Sequence, residues 1–561
     1  MNLFFHIIRF KSRMSWSAAS SITMQVVARE TVGMLVFGVF GIGAFFAARF
    51  TTFFLLHTLG IGMFLLHRFI AMVLFVLFLS INVGNIVVSF STMYRSDEVQ
   101  FLLTTPVSHG TLFAIKFLDN FFYSSGTLFL AGFSLFLGYG EYFQLPWHFH
   151  LFMMLGVLVP FMLIAASTAV LMLLGMMAAA SRFRFRTIII AVMVMYALQL
   201  YLYFAVTNPV DLANEVMKFY PNVNQYFGYL DAPAVRLLPN FWVSQILYFY
   251  TTGNTVVVAQ YTALLIGVCV LMCSLMFLAG KQLYYGTWIT SLSLKASAPE
   301  EPKPGGVLRL ASPSWLPSQT EVLLKREFWQ FVRDPAQWIH FLVMVGLVMV
   351  FVISIGALEF RLSDPMLKTT VYLSLLAFNI FLIASITLRF LFPQMSLEGK
   401  AYWSIRSAPI SPASVYWIKG LLPLLPLLVI GGALALFSSE PFRDIPFLGA
   451  ANGVSIFCST VTLVSLNLGM GSYFANFTEK NPIRIASSHG ATLTFLVGVG
   501  YLLFVGISFF FPVYLTLKAV SIDAYVRPQW MLYVFAANVV VMILLSTLAH
   551  VIGTRSLQRD F

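Results

Sequence analysis

The chain has 561 residues, of which 59% are hydrophobic and only 10% charged, and its mean hydropathy is +0.87. Soluble domains carry about 25% charged residues, so this composition excludes an ordinary soluble protein. The net charge of +12 comes from Lys and Arg residues scattered among apolar runs. That scatter argues against nucleic-acid binding and is typical of the inner loops of a membrane protein.

Apolar runs of about 20 residues or more predict an all-α polytopic protein with twelve membrane-spanning helices. They lie at 32–50, 69–92, 117–139, 151–180, 187–207, 256–280, 337–357, 369–392, 419–437, 447–477, 489–512 and 529–553. With an internal N-terminus, the inner segments contain 23 Lys and Arg residues and the outer segments nine. Because these residues concentrate on the cytoplasmic side, both termini are predicted to be cytoplasmic.

The longest hydrophilic stretch, 281–335, has the Pro and Gly content of a linker. We therefore predict a first transmembrane unit at 1–283, a cytoplasmic linker at 284–318 and a second unit at 319–561. The sequence contains no Gly-x-x-x-x-Gly-Lys-Ser/Thr phosphate loop. We expect that the chain is not an enzyme, that it does not hydrolyse a nucleotide itself and that it holds no cofactor.

The two halves repeat each other at an offset of 303 residues. Residues 101–116 and 404–419 share Pro106 with Pro409, Ser108 with Ser411, and Lys116 with Lys419. Both stretches lie between the second and third predicted span of their half. Six spans in each half is an even number, which predicts two parallel repeats.

Each repeated stretch predicts a short helix, a break at proline and a new helix capped by serine. The short helices, about 96–104 and 398–407, carry apolar side chains that look exposed: Val99, Leu102, Leu103, Tyr402, Trp403 and Ile405. They either rest on lipid headgroups or form two docking points for a cytoplasmic partner, and the sequence leaves both interpretations open. The stretch from Glu321 to Trp338 predicts an amphipathic helix that stops at Asp334-Pro335, and 3–14 is a weaker copy.

The predicted spans contain no Asp or Glu near their middle, although ion-coupled carriers usually need such a carboxylate. Neutral polar residues occur instead. Asn82, Asn85 and Ser89 share one helical face, and Ser385 occupies the repeat position of Asn82. They either form hydrogen bonds between helices or line a transport pathway. Two histidines, His148 and His150, are too few to predict a metal site.

Several motifs resemble the membrane subunits of ABC-2-type (type V) exporters, and in particular ABC exporters that fuse two six-helix units. They are Leu102-Leu-Thr-Thr-Pro-Val-Ser108, Leu397-Glu-Gly-Lys-Ala-Tyr-Trp-Ser-Ile-Arg-Ser-Ala-Pro-Ile-Ser411, Asn481-Pro-Ile-Arg484, Lys325-Arg-Glu327, Arg333-Asp-Pro335 and Leu238-Pro-Asn-Phe-Trp242. The resemblance covers nearly the whole chain.

The resemblance implies a permease in a bacterial cytoplasmic (inner) membrane, driven by a separate ATP-binding cassette ATPase in two copies that holds ATP and Mg. Helices 3–14 and 321–334 would be connecting helices, and 96–104 and 398–407 coupling helices. Re-entrant helices would follow span five on the outside. The expected ATPase-coupling residues are Asp97, Glu98, Leu102, Leu103, Pro106, Glu398, Tyr402, Trp403, Arg406 and Pro409. The expected connecting-helix residues are Lys325, Arg326, Glu327, Phe328 and Arg333.

Two other classes of protein stay open at this point. A 6+6 ion-coupled carrier would share the parallel repeat, but 93–101 lacks the Gly/Asp/Arg-rich signature of the major facilitator class. A membrane-bound lipid-linked transferase would need the acids of the long outer loop, Asp211, Glu215 and Asp231, to take part in catalysis.

Overall fold

The computed structural model of the chain describes residues 24–58, 62–207, 235–296, 318–333, 341, 344–346, 348, 365–479, 482–486, 488–522 and 529–558. Over these residues the protein is helical and has no strand, so the predicted all-α class is confirmed for this part. The chain divides into two compact units, residues 1–302 and 303–561.

The first unit contains nine α-helices in its described residues. They are α1 (Met24–Phe53), α2 (Gly62–Ser89), α3 (Asp97–Leu103), α4 (His109–Tyr142), α5 (Trp147–Phe152), α6 (Val159–Ala179), α7 (Phe185–Thr207), α8 (Pro239–Thr251) and α9 (Thr255–Ala296). Turns of π-helix at Phe54–Thr58, Phe90–Tyr94 and Met153–Leu158 extend α1 and α2 and join α5 to α6, and a 3₁₀ turn at Val235–Leu237 precedes α8.

The second unit contains eight α-helices in its described residues. They are α10 (Ser318–Arg333), α11 (Pro365–Phe390), α12 (Tyr402–Ser407), α13 (Pro412–Ser438), α14 (Pro446–Tyr473), α15 (Pro482–Ala486), α16 (His489–Ser521) and α17 (Gln529–Ser556). Turns of 3₁₀-helix at Phe392–Gln394, Ser396–Ala401 and Glu440–Phe442 occupy two of the connections.

Nine helical segments of the described residues are long and apolar enough to cross a membrane. They are 62–94, 147–179, 187–207, 255–293, 365–399, 412–438, 446–473, 489–521 and 529–556. In addition, α1 has 30 residues and α4 has 34. The predicted seventh span, 337–357, lies for the most part outside the described residues, as does the connecting helix predicted at 3–14.

The core of the first unit lies around α6, which packs against α2 and α9. Its Ala165, Ala166 and Ala169 are fully buried, so the neighbouring helices approach it closely there. The short helix α8 has 13 residues, too few to cross a membrane, and it packs against α2 and α9. Two hydrogen bonds fix it to α2, from Asn240 to the Ala71 carbonyl at 2.9 Å and from Ser244 to the His67 carbonyl at 2.5 Å.

Helix α9 runs well beyond the predicted span end at residue 280 and has 42 residues. Beyond residue 280 it is still attached to the first unit by hydrogen bonds. The Tyr284 hydroxyl donates to the Met93 carbonyl at 2.9 Å, and Thr287 and Tyr94 share a hydrogen bond of 3.0 Å between their hydroxyls. These bonds attach the end of α9 to the π-helical turn that follows α2.

Candidate functional site

The connection between α2 and α4, residues 95–108, is here called the first interhelical segment. It contains the short helix α3, whose end is closed by two hydroxyls. Thr104 donates to the Phe101 carbonyl at 2.7 Å, and Thr105 donates to the Leu102 carbonyl at 2.6 Å. The ring of Phe101 is 67% exposed and is the most exposed apolar side chain of α3.

The connection between α11 and α13, residues 391–411, is the second interhelical segment. It begins with two 3₁₀ turns and bends at Gly399, whose φ of 57° is costly for any residue with a side chain. The start of the segment lies directly on α14. A Cβ atom at Gly471 would lie 2.2 Å from the Phe392 carbonyl oxygen, so only glycine permits this approach. The segment then forms α12, on which Trp403 is 71% exposed.

Both segments end in the serine cap that the repeat predicts. Ser108 accepts a hydrogen bond from the Thr111 amide at 3.3 Å, and Ser411 accepts one from the Ser414 amide at 3.1 Å. The two caps have nearly the same backbone angles, with ψ of 140° and 141°. The predicted caps are therefore confirmed, and Pro412 occupies the first turn of its helix as expected.

Eight residues after each cap comes a lysine whose side chain is almost completely buried. In the first unit, Lys116 Nζ lies 2.5 Å from Glu98 Oε2 and 4.0 Å from Asp119 Oδ2. The Glu98 side chain is 48% exposed, so one partner of this ion pair stays in contact with solvent. The side chain of Asp97, on the same short helix, lies outside the described part.

In the second unit the equivalent lysine lies in a cluster of four charges, three of which are buried, while Arg326 is 37% exposed. Lys419 Nζ lies 2.9 Å from both carboxylate oxygens of Glu327 and 2.5 Å from Glu398 Oε1. The Arg326 guanidinium donates from Nη1 to Glu398 Oε1 at 3.2 Å and from Nη2 to Glu398 Oε2. The side chains of Lys419, Glu327 and Glu398 are at most 6% exposed.

The cluster joins the predicted connecting helix to the predicted coupling segment, because Arg326 and Glu327 belong to α10 and Glu398 to the second interhelical segment. Burial by itself lowers the pKa of the Arg326 guanidinium. Its hydrogen bond to Glu398 and the charges of both carboxylates outweigh burial and raise that pKa above its ordinary value. Arg326 therefore stays ionised. Three buried charges and the partly exposed Arg326, paired in this way, hold the two elements in one geometry.

Helix α10 covers most of the predicted connecting helix 321–334, and its remaining expected residues are not part of the cluster. Lys325 pairs with Glu321 on the same helix, and Phe328 is half-buried. The helix ends at Arg333, whose side chain lies outside the described part.

The expectation that the apolar side chains of the two short helices are exposed is wrong for three of them. Val99, Tyr402 and Ile405 are buried. The Tyr402 ring stacks on Phe477 with 4.9 Å between centroids. Burial raises the pKa of the Tyr402 phenol, so it stays protonated and donates to the Leu557 carbonyl at 3.3 Å. Tyr402 thus anchors α12 to its own unit.

The other expected coupling residues lie nearer the surface. Leu102 and Leu103 are half-buried against the core of the first unit, whereas Pro106 and Pro409 are exposed. Arg406 Nη2 donates to the Gln558 carbonyl at 3.3 Å. Trp403 and Phe101 are therefore the large exposed rings of the two segments, and sequence reasoning omitted Phe101 from the coupling residues.

The candidate pathway residues of the first unit all have partners within the helices. Asn82 donates to the Ala165 carbonyl at 2.9 Å and to Thr168 Oγ1 at 2.6 Å, and it accepts from the Tyr196 hydroxyl. Asn85 donates to the Ile81 carbonyl at 2.9 Å. Two further contacts continue the row: Ser89 accepts from Asn120 at 3.3 Å, and Thr92 donates to Asn120 at 2.6 Å.

These bonds favour the interpretation that Asn82 and Ser89 join neighbouring helices. Ser385, the counterpart of Asn82 in the second unit, is half-buried and makes no hydrogen bond with the described residues. Its position therefore differs in chemistry from Asn82 although the repeat aligns them. Among the described residues no group of three His, Cys, Asp or Glu side chains could hold a metal ion.

Nine long apolar helical segments in the described part of the chain make this a helical, multi-pass membrane protein. The chain belongs to the family described as "Putative ATP-binding cassette", whose model matches residues 25–560. No curated protein and no solved structure was found to match the chain.

Proposed function

We propose that the chain is the membrane-spanning permease of an ABC-2-type exporter, with twelve spans in two parallel six-helix repeats. ATP is hydrolysed by a separate cytoplasmic ATPase that binds in two copies. The protein lies in the cytoplasmic membrane of a bacterium with both termini inside, and it moves a substrate outward. It is not itself an enzyme in this proposal.

The observation that carries the proposal is the duplicated interhelical segment. In each unit a short helix with one large exposed ring precedes a serine cap and a buried lysine that is paired with a carboxylate. A partner that binds both segments needs two equivalent surfaces, which a dimer supplies. The family description refers to an ATP-binding cassette, yet the sequence has no phosphate loop, which supports a cassette on a separate subunit.

In this proposal, the charge cluster of the second unit connects the docking surface on α12 to a membrane-spanning helix. A force applied to α12 reaches Glu398 through the 3₁₀ turn that precedes it. From Glu398 the ion pairs lead to α10 through Arg326 and to α13 through Lys419. Since α13 is one of the candidate membrane-spanning helices, movement of the docked ATPase would change the position of that helix.

The test of a separate ATPase is hydrolysis by purified preparations. We expect no ATP hydrolysis by the purified chain and hydrolysis once the cassette ATPase that co-purifies with the tagged chain is added. Transport in vesicles should continue when ionophores collapse proton and sodium gradients, and it should stop without ATP. Hydrolysis by the chain alone, or transport that needs only an ion gradient, would contradict the proposal.

The docking points are tested by replacing the two exposed rings. Trp403→Ala should weaken ATPase binding by about 2 kcal/mol, the level of an interface hot spot, and Phe101→Ala should weaken it in the same direction. Binding is measured by titrating the ATPase onto chain held in nanodiscs. Trp147→Ala is the matched control, because Trp147 is 75% exposed but lies on α5, which follows the opposite end of α4 from the first interhelical segment. Equal affinity of all three variants and the parent would mean that the rings rest on lipid.

A further inference from the structure

A group of arginines and aromatic rings occupies one corner of the first unit and is not used by the proposed docking. The connection between α6 and α7 has the sequence Arg182-Phe-Arg-Phe-Arg186. It is a tight turn, in which the amides of Arg182 and Phe183 both donate to the Ala179 carbonyl, at 3.0 and 2.9 Å. Arg182 and Arg184 are exposed, and the Phe183 ring is 63% exposed.

Tertiary packing brings a further arginine to this turn. The Phe185 ring stacks on Phe90, with centroids 5.8 Å apart and an angle of 21° between the rings. The Arg95 guanidinium lies over the Phe90 ring, 5.0 Å from its centroid. Phe90 thus joins Arg95, at the start of the first interhelical segment, to the Arg182–Arg186 turn. We call Phe90, Arg95, Arg182, Phe183, Arg184 and Phe185 the Arg–Phe corner.

The arginines of this corner have no acidic partner in the part of the chain that the structure describes. No carboxylate there pairs with Arg95, Arg182 or Arg184, and the nearby Glu98 is paired with Lys116. Arg184 directly precedes α7, at the end of a helix where the backbone dipole disfavours a cation. Arg184 therefore does not stabilise the helix that follows it, and the charges of the exposed Arg182 and Arg184 are available to a ligand.

We propose that the Arg–Phe corner binds the phosphate headgroups of anionic phospholipids. The turn joins two candidate membrane-spanning helices, so it lies where headgroups are found. An exposed aromatic ring between two arginines suits that boundary, because the ring enters the acyl region while the guanidinium groups stay with the phosphates. Guanidinium groups also match phosphate oxygens with two parallel hydrogen bonds.

Bound lipid would also act on the first interhelical segment. Arg95 is held by Phe90 and immediately precedes Ser96 and α3, so a headgroup shared by Arg95 and the turn limits the movement of that segment. This consequence depends on the function proposed above, whereas lipid binding itself depends only on the position of the corner at the membrane boundary. Anionic lipid should therefore change the ATPase activity of the assembled transporter.

The test of binding uses the full chain, purified in detergent, and native mass spectrometry of retained lipid. The probe is phosphatidylglycerol, which the chain takes up from vesicles of phosphatidylcholine with added phosphatidylglycerol before it is purified in detergent. Each arginine near the surface contributes about a 5-fold change in affinity, so Arg182→Gln with Arg184→Gln should bind phosphatidylglycerol about 25-fold more weakly. Arg182→Lys with Arg184→Lys should bind more tightly than the double Gln variant because it keeps the charges, and less tightly than the parent because it loses the paired hydrogen bonds.

The control is Arg555→Gln, which removes one exposed arginine from the last turn of α17. Equal retention of phosphatidylglycerol by the double Gln variant, the control and the parent would overturn the proposal. A second result would also overturn it. If the double variant retained phosphatidylglycerol as the parent does, but no longer bound the ATPase in vesicles of pure phosphatidylcholine, the corner would be a protein contact. If the double variant failed to fold, Arg182→Gln alone would give the same comparison, with about a 5-fold change.

Discussion

The two interhelical segments share a sequence pattern and the same serine cap, but they are attached to their units in different ways. In the first, Lys116 pairs with Glu98, whose side chain is half exposed. In the second, Lys419 lies between Glu327 and Glu398, and Arg326 completes the cluster. The repeated lysine therefore lies in a different environment in each unit. Among the described residues, only the lysine of the second unit contacts a connecting helix.

The difference indicates that the second segment is the stiffer of the two. A buried ion pair loses several kcal/mol when one partner is removed, because the other charge remains buried without compensation. An ion pair with an exposed partner contributes about 0–1 kcal/mol, since water replaces the missing charge. We infer that a partner docking on both segments meets one rigid and one more compliant contact.

The largest expected effect is the loss of the lysine. Lys419→Met should lower the free energy of unfolding by about 3–5 kcal/mol, because the buried Glu327 and Glu398 carboxylates then keep only the partly exposed Arg326 as a partner. The equivalent Lys116→Met should cost about 1 kcal/mol. Thermal unfolding of the detergent-purified chain, followed by fluorescence-detected size exclusion, compares the two variants directly.

A triple variant separates charge from packing in the same experiment. Lys419→Met combined with Glu327→Gln and Glu398→Gln leaves no unpaired carboxylate, so it should recover most of the lost stability. If the triple variant is as unstable as Lys419→Met alone, then the lysine stem rather than its charge holds the cluster, and the contrast between the units loses its basis.

A second comparison concerns the membrane interior, where the repeat aligns Asn82 with Ser385. Asn82→Ala should cost about 1–2 kcal/mol, toward the upper end for interhelical hydrogen bonds in membranes, because Tyr196 and Thr168 also lose a partner. Ser385→Ala should change the free energy of unfolding by less than about 0.5 kcal/mol. The same thermal assay measures both variants.

Substrate handling distinguishes the two interpretations of this polar row. If Asn82→Ala leaves stability unchanged but alters transport rates, the side chain lines the pathway and the hydrogen bonds are incidental. Tyr196→Phe serves as the matched control, since it removes one of the Asn82 contacts while leaving the asparagine in place.

The smallest expected difference lies at the caps, where the two units are most alike. Ser108→Ala and Ser411→Ala should each cost about 1 kcal/mol, the usual contribution of an N-cap serine. Because the cap geometries agree closely, we expect the two losses to be equal within error. Replacement by Asp should preserve stability in both units. Clearly unequal losses would show that the segments around the caps, rather than the caps themselves, set helix stability.

Much of the fold follows from the sequence because the forces involved are local. Long apolar runs predict helices, since a helix satisfies its own backbone hydrogen bonds in lipid. The Ser-Pro start of α13 and its counterpart at Ser108 were predictable because a cap involves residues only three apart.

What tertiary structure decided is which apolar side chains face inward and which charges meet. Val99, Tyr402 and Ile405 could not be told from Trp403 by sequence, because a short helix with apolar residues on several faces shows no unique buried side. Glu327 and Lys419 are 92 residues apart, and the rings of Phe90 and Phe185 join Arg95 to a distant turn. Such pairs depend on how whole helices pack. This chain is apolar along most of its length, so the local sequence pattern says little about which helix packs against each face.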